Sequence, residues 1–232
     1  MKHKVFFSYL TLNCILMLTL VKLGFAQTNN EFQLTQTSDN FYKKCFRDSN
    51  RIEGNRPDMI YCINLEYQQR DKILNQVYQK LRLQLSNTSK ELLKDAQLKW
   101  ISFRDKECDY QRYQERRAIK DRPLIVGACL SFLTKNRTAD LQTYISGQIS
   151  PSNNTNYQAV DNQLNQIYQQ GLNCPTDNGP GCDNVQRLQS AQAAWTKFRN
   201  ANCQFESYHF STSDNTCLIR FTEQRIQDLP KK

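Results

Sequence analysis

One sequence frame occurs twice in this chain, and it restricts the fold more than any other feature. The frame A-Q-x-x-W-x-x-F-R-x-x-x-C occupies residues 96–108 and again residues 191–203. It contains the only two tryptophans of the chain, Trp100 and Trp195. Because such a frame is very improbable twice by chance, the chain is predicted to be an internal duplication.

Two further blocks repeat in the same order on either side of this frame. They are D-x-x-L-N-Q-[V/I]-Y-Q at residues 71–79 and 161–169, and C-L-x-x-x-T-x-x-R at residues 129–137 and 217–225. Whole domains are therefore predicted to be duplicated. Copy one covers residues 45–145 and copy two covers residues 157–232, joined by a Ser/Asn-rich linker at residues 146–156.

The first residues have the pattern of a secretory signal. A basic start precedes an apolar run, and small residues follow it, so residues 1–26 are predicted to be a signal peptide cleaved after Ala26. The apolar run is close to the length of a membrane span, which leaves a retained anchor as the alternative. Residues 27–44 are a polar leader. The predicted location is the periplasm or the exterior. The sequence after residue 26 contains no second apolar run, so no further membrane span is predicted.

Cleavage at this point would change both the charge and the cysteine count. It removes three lysines, which lowers the formal net charge of +9 by three to +6, and it removes Cys14, which leaves eight of the nine cysteines. An even number of cysteines in an exported chain is typical of disulfides. The repeat and the local spacing predict four pairs: Cys45–Cys62, Cys108–Cys129, Cys174–Cys182 and Cys203–Cys217.

The residue pattern favours helices throughout. Apolar residues recur at three- and four-residue steps from Leu65 onward, and the chain has only seven glycines and six prolines. Each copy is predicted to be a helical hairpin followed by a third helix, giving an all-α, disulfide-stabilised fold. Residues 45–62 are expected to form a loop, and the first copy's third helix is expected to begin near Cys129. The predicted core contains the aromatic residues of both frames: Trp100, Phe103, Trp195 and Phe198.

The sequence offers little for catalysis. His209 is the one histidine after the signal, and no metal-ligand spacing or glycine-rich phosphate loop is present. Paired acids could serve a glycosidase, but Asp105 and Glu107 become Asn200 and Asn202 in the second copy. We therefore expect no enzyme, metal or cofactor, and we expect these acids to be solvated on a helix surface.

Charged residues kept in both copies predict a structural clasp. Each frame has an arginine and each preceding block opens with an aspartate, so we expect Arg104 to pair with Asp71 and Arg199 with Asp161. The alternative is that Arg104 projects into the site of a partner.

A partner-binding surface is predicted where the copies differ or where charge accumulates. The candidates are Asp105, Glu107, Arg112, Arg116 and Arg117. The basic residues would attract a cell-wall polymer or an acidic protein, or would form a solvated helix end. Nucleic acid is not an expected partner of an exported, disulfide-bearing protein.

The three repeated blocks resemble the lysozyme inhibitor LprI family over residues 62–144 and again over residues 157–229. The resemblance implies a small helical fold with disulfides, and protection against lysozyme-type cell-wall hydrolases. It provides no catalytic residues. The second copy departs from the family at Asn200 and Asn202, lacks the upstream cysteine pair and adds Cys174 and Cys182.

The leading functional hypothesis is an exported protein that inhibits a peptidoglycan hydrolase, either a host lysozyme or a competitor's enzyme. Animal lysozymes are generally basic, and a basic inhibitor would be repelled at long range, which favours an acidic target unless a basic segment enters the catalytic cleft. The alternative is a non-inhibitory envelope scaffold.

Overall fold

The computed structural model describes five segments of the chain: residues 41–48, 54–113, 119–149, 156–172 and 183–229. These segments contain α-helices, a short 3-10 turn and no strand, which confirms the predicted all-α fold. The predicted signal peptide, Arg116, Arg117, Cys174 and Cys182 lie outside the described residues. The chain divides into two compact units, Met1–Glu53 and Gly54–Lys232.

The first unit contains one described helix, α1 (Phe41–Asp48). Tyr42 and Phe46 lie one turn apart and meet edge to face, with ring centroids 5.0 Å apart. The helix includes Cys45 and the last residues of the predicted leader, so the expected loop is wrong at this position. Cys45 is disulfide-bonded.

The second unit contains the three main helices of each copy, whereas the predicted start of copy one, at residue 45, lies in the first unit. Its elements are α2 (Arg56–Gln84), α3 (Asn87–Tyr113), a 3-10 turn (Ile119–Asp121), α4 (Arg122–Ser146), α5 (Tyr157–Leu172), α6 (Asp183–Phe210) and α7 (Asp214–Asp228). Helices α2, α3 and α4 belong to copy one, and α5, α6 and α7 are their counterparts in copy two.

Two helices begin earlier than the sequence pattern indicates. Pro57 and Pro123 both stand in the first turn of a helix, where a missing backbone N–H costs nothing. Helix α2 therefore starts before Leu65 and includes the disulfide-bonded Cys62, and α4 starts before Cys129. Because proline interrupts a helix at most other positions, both predicted boundaries, Leu65 and Cys129, are wrong.

The helices pack as two outer pairs around a central pair. Helix α2 lies along α4, α5 lies along α7, and α3 has its most extensive backbone contact with α6 of the other copy. The α2–α4 approach is close because Gly127 has no side chain: a Cβ there would lie 2.8 Å from Ile63 Cγ2. Nearby, Ser131 of α4 donates a hydrogen bond to Glu66 of α2 at 2.9 Å.

The two copies share one hydrophobic core. Phe103 and Phe198 stack with ring centroids 6.0 Å apart and an interplanar angle of 5°, and Trp100 and Trp195 are buried beside them. These aromatic residues were predicted to fill the core of each separate hairpin. They instead join the copies, so burial of one frame depends on the presence of the other.

Two disulfides fasten the central helices to the outer ones. Cys108–Cys129 links α3 to α4, and Cys203–Cys217 links α6 to α7, as the repeat predicts. No described helix is both long enough and apolar enough to cross a membrane.

Candidate functional site

The second copy contains the arginine clasp in its closer form. Arg199 lies 3.1 Å from Asp161 Oδ1, as the repeat predicts, and it also donates to Thr222 Oγ1 at 3.2 Å. Its guanidinium carbon is 4.9 Å from the ring centroid of Trp195. The repeated arginine therefore fixes α6 to both outer helices of its own copy.

The first copy contains a looser version of the same clasp. Arg104 is 3.8 Å from Asp71 Oδ1 and 2.8 Å from Asp105 Oδ1, with Trp100 again beneath its guanidinium. Arg104 has a side chain that is only 12% exposed, so it does not project from the surface. The alternative that Arg104 enters a partner's site is therefore not supported.

A buried ion pair connects the two copies. Arg225 of α7 donates from Nη2 to Oε2 of Glu107 on α3 at 2.8 Å, and its Nε donates to Gln192 at 3.2 Å. The guanidinium carbon also lies 5.3 Å from the ring centroid of Phe103. Glu107 was predicted to be a solvated acid and a partner contact. It is instead buried against the other copy, so it is not available to an external partner.

In the reciprocal contact, an arginine of copy one reaches the central helix of copy two, and the counterpart of Glu107 there is an amide, Asn202. Arg137 of α4 donates from Nη1 to Asn202 Oδ1 on α6 at 2.8 Å, and Nε donates to Gln97 at 3.0 Å. Asp140 follows one turn later, 3.9 Å from Arg137 Nη1. Burial raises the pKa of Asp140 to about 6, an effect that the neighbouring Arg137 only partly offsets.

Copy two also has a buried carboxylate, but it lies one turn after Asn202 on α6. Glu206 accepts hydrogen bonds from Asn202, Tyr144 and Arg220, the last through both carboxylate oxygens. Copy one has the reverse order, because Gln111 donates to Glu107 at 3.0 Å. The acid and the amide thus exchange places between the copies, which direct comparison of residues 107–111 with residues 202–206 could have found.

An open groove of about 630 Å³ lies between α3 and α6. Asp105 is at this groove with its side chain 56% exposed, so it remains available to a partner. Arg187 bridges the groove to Asp109 at 3.2 Å, and Lys106 donates to Ser190 at 2.7 Å. The groove has acidic and basic residues in equal number along its lining.

Three arginines surround Tyr113 beside this groove. The guanidinium carbons of Arg112, Arg122 and Arg187 lie 4.7, 4.4 and 3.9 Å from the ring centroid. Arg112 also donates to the Tyr113 hydroxyl at 2.5 Å. We call these four residues the Tyr113 cluster. Sequence reasoning identified only Arg112, because Arg122 and Arg187 come from α4 and from the second copy.

The described residues offer no familiar catalytic centre. Ser89 Oγ lies 3.4 Å from His209 Nδ1, but Ser89 is 1% exposed and His209 stacks on Phe205. Burial lowers the pKa of His209. A buried serine cannot reach a substrate, so this contact joins α3 to α6 structurally. No group of three His, Cys, Asp or Glu residues in the described segments could hold a metal ion.

Comparisons with known proteins agree with this architecture. A protein from Rhizobium meliloti (strain 1021), itself uncharacterized, is 32% identical over 98 residues, covering 37% of this chain and 70% of the relative. A crystal structure of an uncharacterized protein from Burkholderia thailandensis has the same fold, with a TM-score of 0.58 and 16% identity. It covers 83% of this chain and 93% of that chain.

The family comparison includes both copies. The model of the lysozyme inhibitor LprI family matches residues 47–141 and again residues 149–229. The two matched segments contain the clasps, the disulfides between central and outer helices, and the buried pairs between the copies. This chain therefore belongs to the LprI lysozyme inhibitor family.

Proposed function

We propose that this protein is exported and inhibits a lysozyme-type peptidoglycan hydrolase by occluding its substrate cleft. The observation that carries the proposal is the family match, whose two segments cover residues 47–141 and 149–229 and include the central helices α3 and α6 of both copies. The disulfides support an oxidising location, either the periplasm or the exterior.

The packing supports a binding role. Inhibition by occlusion requires a surface that holds its shape, because ordering a mobile surface on binding would reduce affinity. The central pair α3 and α6 provides such a surface: two disulfides and the buried Arg225–Glu107 pair fix it from within. The open groove and the Tyr113 cluster lie along this pair.

The target is proposed on electrostatic grounds. The chain has a formal net charge of +9, and it stays basic if the three lysines of the predicted signal peptide are lost. An acidic hydrolase, such as an enzyme delivered by a competitor, would be attracted at long range. A basic host lysozyme would be bound only where local contacts overcome the repulsion.

A lysis assay tests the proposal. The oxidised protein is mixed with purified muramidases of acidic and basic charge, and the clearing of cell-wall suspensions is followed. We expect at least one muramidase to be slowed at equimolar protein, and we expect the reduced and alkylated protein to be inactive. Unchanged lysis by every muramidase, even with inhibitor in excess, would reject the proposal.

The second candidate is an envelope scaffold that binds the wall polymer without inhibiting an enzyme. The three cations of the Tyr113 cluster favour it, since wall polymers are anionic. Co-sedimentation with purified walls, in the absence of any hydrolase, distinguishes it: retention of the protein without slowed lysis supports the scaffold.

A further inference from the structure

We infer that the Tyr113 cluster is the docking site for the paired carboxylates in the cleft of the hydrolase. This inference rests on the proposed function and names the contact that would achieve it. The cluster consists of Tyr113, Arg112, Arg122 and Arg187.

The cluster concentrates positive charge from three separate helices. Arg112 belongs to α3, Arg122 begins α4, and Arg187 belongs to α6 of the second copy. All three guanidinium carbons lie within 4.7 Å of one ring centroid. Because all three lie against the same ring, three like charges are brought close together, and an anion bound among them would offset part of their repulsion.

Two acidic residues close in sequence to members of the cluster already have partners. Asp109 lies against Arg187, and Asp121 is taken by Arg56 at 2.6 Å. Among the residues that the structure describes, no carboxylate lies within ion-pair distance of Arg112 or Arg122.

A buried donor gives a second, independent indication of a missing acceptor. The Nε atom of Arg112 is buried and has no hydrogen-bond partner within the described segments. An unsatisfied donor on a charged group costs free energy, and a carboxylate bound to the more exposed part of the same guanidinium would offset part of that cost by stabilising its charge.

A pair of carboxylates suits this arrangement better than a single anion. Glycosidases hold two carboxyl groups about 5 to 9.5 Å apart on either side of the scissile bond. Guanidinium groups bind carboxylates through two parallel hydrogen bonds, and three of them around one ring present several such forks together. Their half-buried stems are already held against Tyr113, which limits the entropy lost on binding.

The central test uses the double variant Arg122→Gln/Arg187→Gln. We expect its inhibition constant for a responsive muramidase to rise by about 10- to 100-fold, because two charge-assisted contacts are lost. The matched control is Arg82→Gln, which removes an arginine 5.7 Å from the centroid of a single tyrosine, Tyr78. We expect this control to stay within about twofold of the unsubstituted protein.

A spectroscopic readout tests the same site without any enzyme. The Arg112 hydrogen bond, with the neighbouring guanidiniums, lowers the pKa of Tyr113. An anion bound in the cluster would raise that pKa. The ultraviolet titration difference between the unsubstituted protein and Tyr113→Phe isolates this ring, and it is recorded with glutarate and with inorganic phosphate. We expect glutarate to raise the pKa of Tyr113 in a saturable way, and we expect the double variant to show no such rise.

The outcomes separate the two claims. If the unsubstituted protein inhibits and the double variant inhibits equally well, the docking site is wrong and the proposed function stands. If no muramidase is inhibited, the proposed function falls, and a saturable glutarate response still identifies a carboxylate site. A stronger response to phosphate, or no response to either anion, would overturn the carboxylate assignment.

Discussion

The Nη2 atom of Arg225 lies 2.8 Å from Oε2 of Glu107, and the two side chains are only 1% and 4% exposed. Arg225 belongs to copy two and Glu107 to copy one, so the pair crosses the boundary between them. The reverse contact runs from Arg137 to Asn202. Each copy therefore supplies a buried arginine to the central helix of the other, and we expect the two copies to unfold together.

Substitution of Glu107 by Gln tests this connection. The change leaves the Arg225 charge buried without its carboxylate, while Gln192 can satisfy only Nε. Removal of one member of a buried ion pair costs about 3 to 5 kcal/mol. We expect the free energy of unfolding, measured by urea denaturation, to fall by this amount.

The matched control for Glu107→Gln is Asp105→Asn, two residues earlier on the same helix. Asp105 also contacts an arginine, but its side chain is 56% exposed, so the expected loss is below about 1 kcal/mol. Equal losses in the two variants would show that the buried pair does not hold the copies together.

Asp140 should make stability depend on pH. Burial raises its folded-state pKa from 3.8 to about 6, helped by Glu206 and Asp228 and opposed by Arg137 and Arg220. Between these two values the folded state binds more protons than the unfolded state, so the contribution of this group to stability falls as pH rises from about 4 to 6.

The comparison of unsubstituted protein with Asp140→Asn isolates that contribution. We subtract the free energy of unfolding of the variant from that of the unsubstituted protein. This difference is expected to become more negative by about 1 to 3 kcal/mol between pH 4 and pH 7. Urea titrations at both pH values measure it. A difference that stays constant, or that moves the other way, would show that Asp140 titrates normally.

The repeat explains why the fold could be predicted from the sequence. Helical periodicity gave the class, and equivalent cysteines gave two disulfide pairs, because both signals are local or are copied twice. The starts of α2 and α4 were missed since Pro57 and Pro123 read as helix breakers, although proline is favoured in a first turn. Local pattern does not separate these two roles of proline.

The candidate site was harder to predict from the sequence than the fold, for a physical reason. Glu107 lies on a polar stretch of α3, and its buried ion-pair partner, Arg225, comes from the other copy. The Tyr113 cluster likewise joins Arg122 and Arg187, which are 65 positions apart in the sequence. Helical periodicity reflects the burial of one helix at a time, so it predicts neither contact.

Gly127 offers a test of the outer pair α2–α4. In Gly127→Ala the new Cβ would meet the branched Ile63 side chain at 2.8 Å, close to the backbone, where it has little room to move. Overpacking typically costs 1 to 3 kcal/mol, against about 1 kcal/mol gained in helix propensity. We expect a net loss of about 1 kcal/mol by thermal or urea unfolding.

Gly171→Ala is the control for Gly127→Ala. Its new Cβ would also find an atom at 2.8 Å, but that atom is the terminal Cδ2 of Leu188, which can rotate away. We expect this variant to be neutral or slightly stabilised. A loss equal to that of Gly127→Ala would show that the space at Gly127 has no special role in joining α2 to α4.

Removal of either inter-helix disulfide should affect both copies at once. Cys108–Cys129 spans 21 residues and Cys203–Cys217 spans 14, so the loss of either bond, with both cysteines replaced by Ala, is expected to cost about 3 kcal/mol. For a unit of this size, that loss lowers the melting temperature by about 6 to 12 °C. Because the two frames share one core, calorimetry is expected to show a single transition that moves in both variants. Two resolved transitions, only one of which moves in each variant, would mean that the copies fold independently despite the Arg225–Glu107 pair.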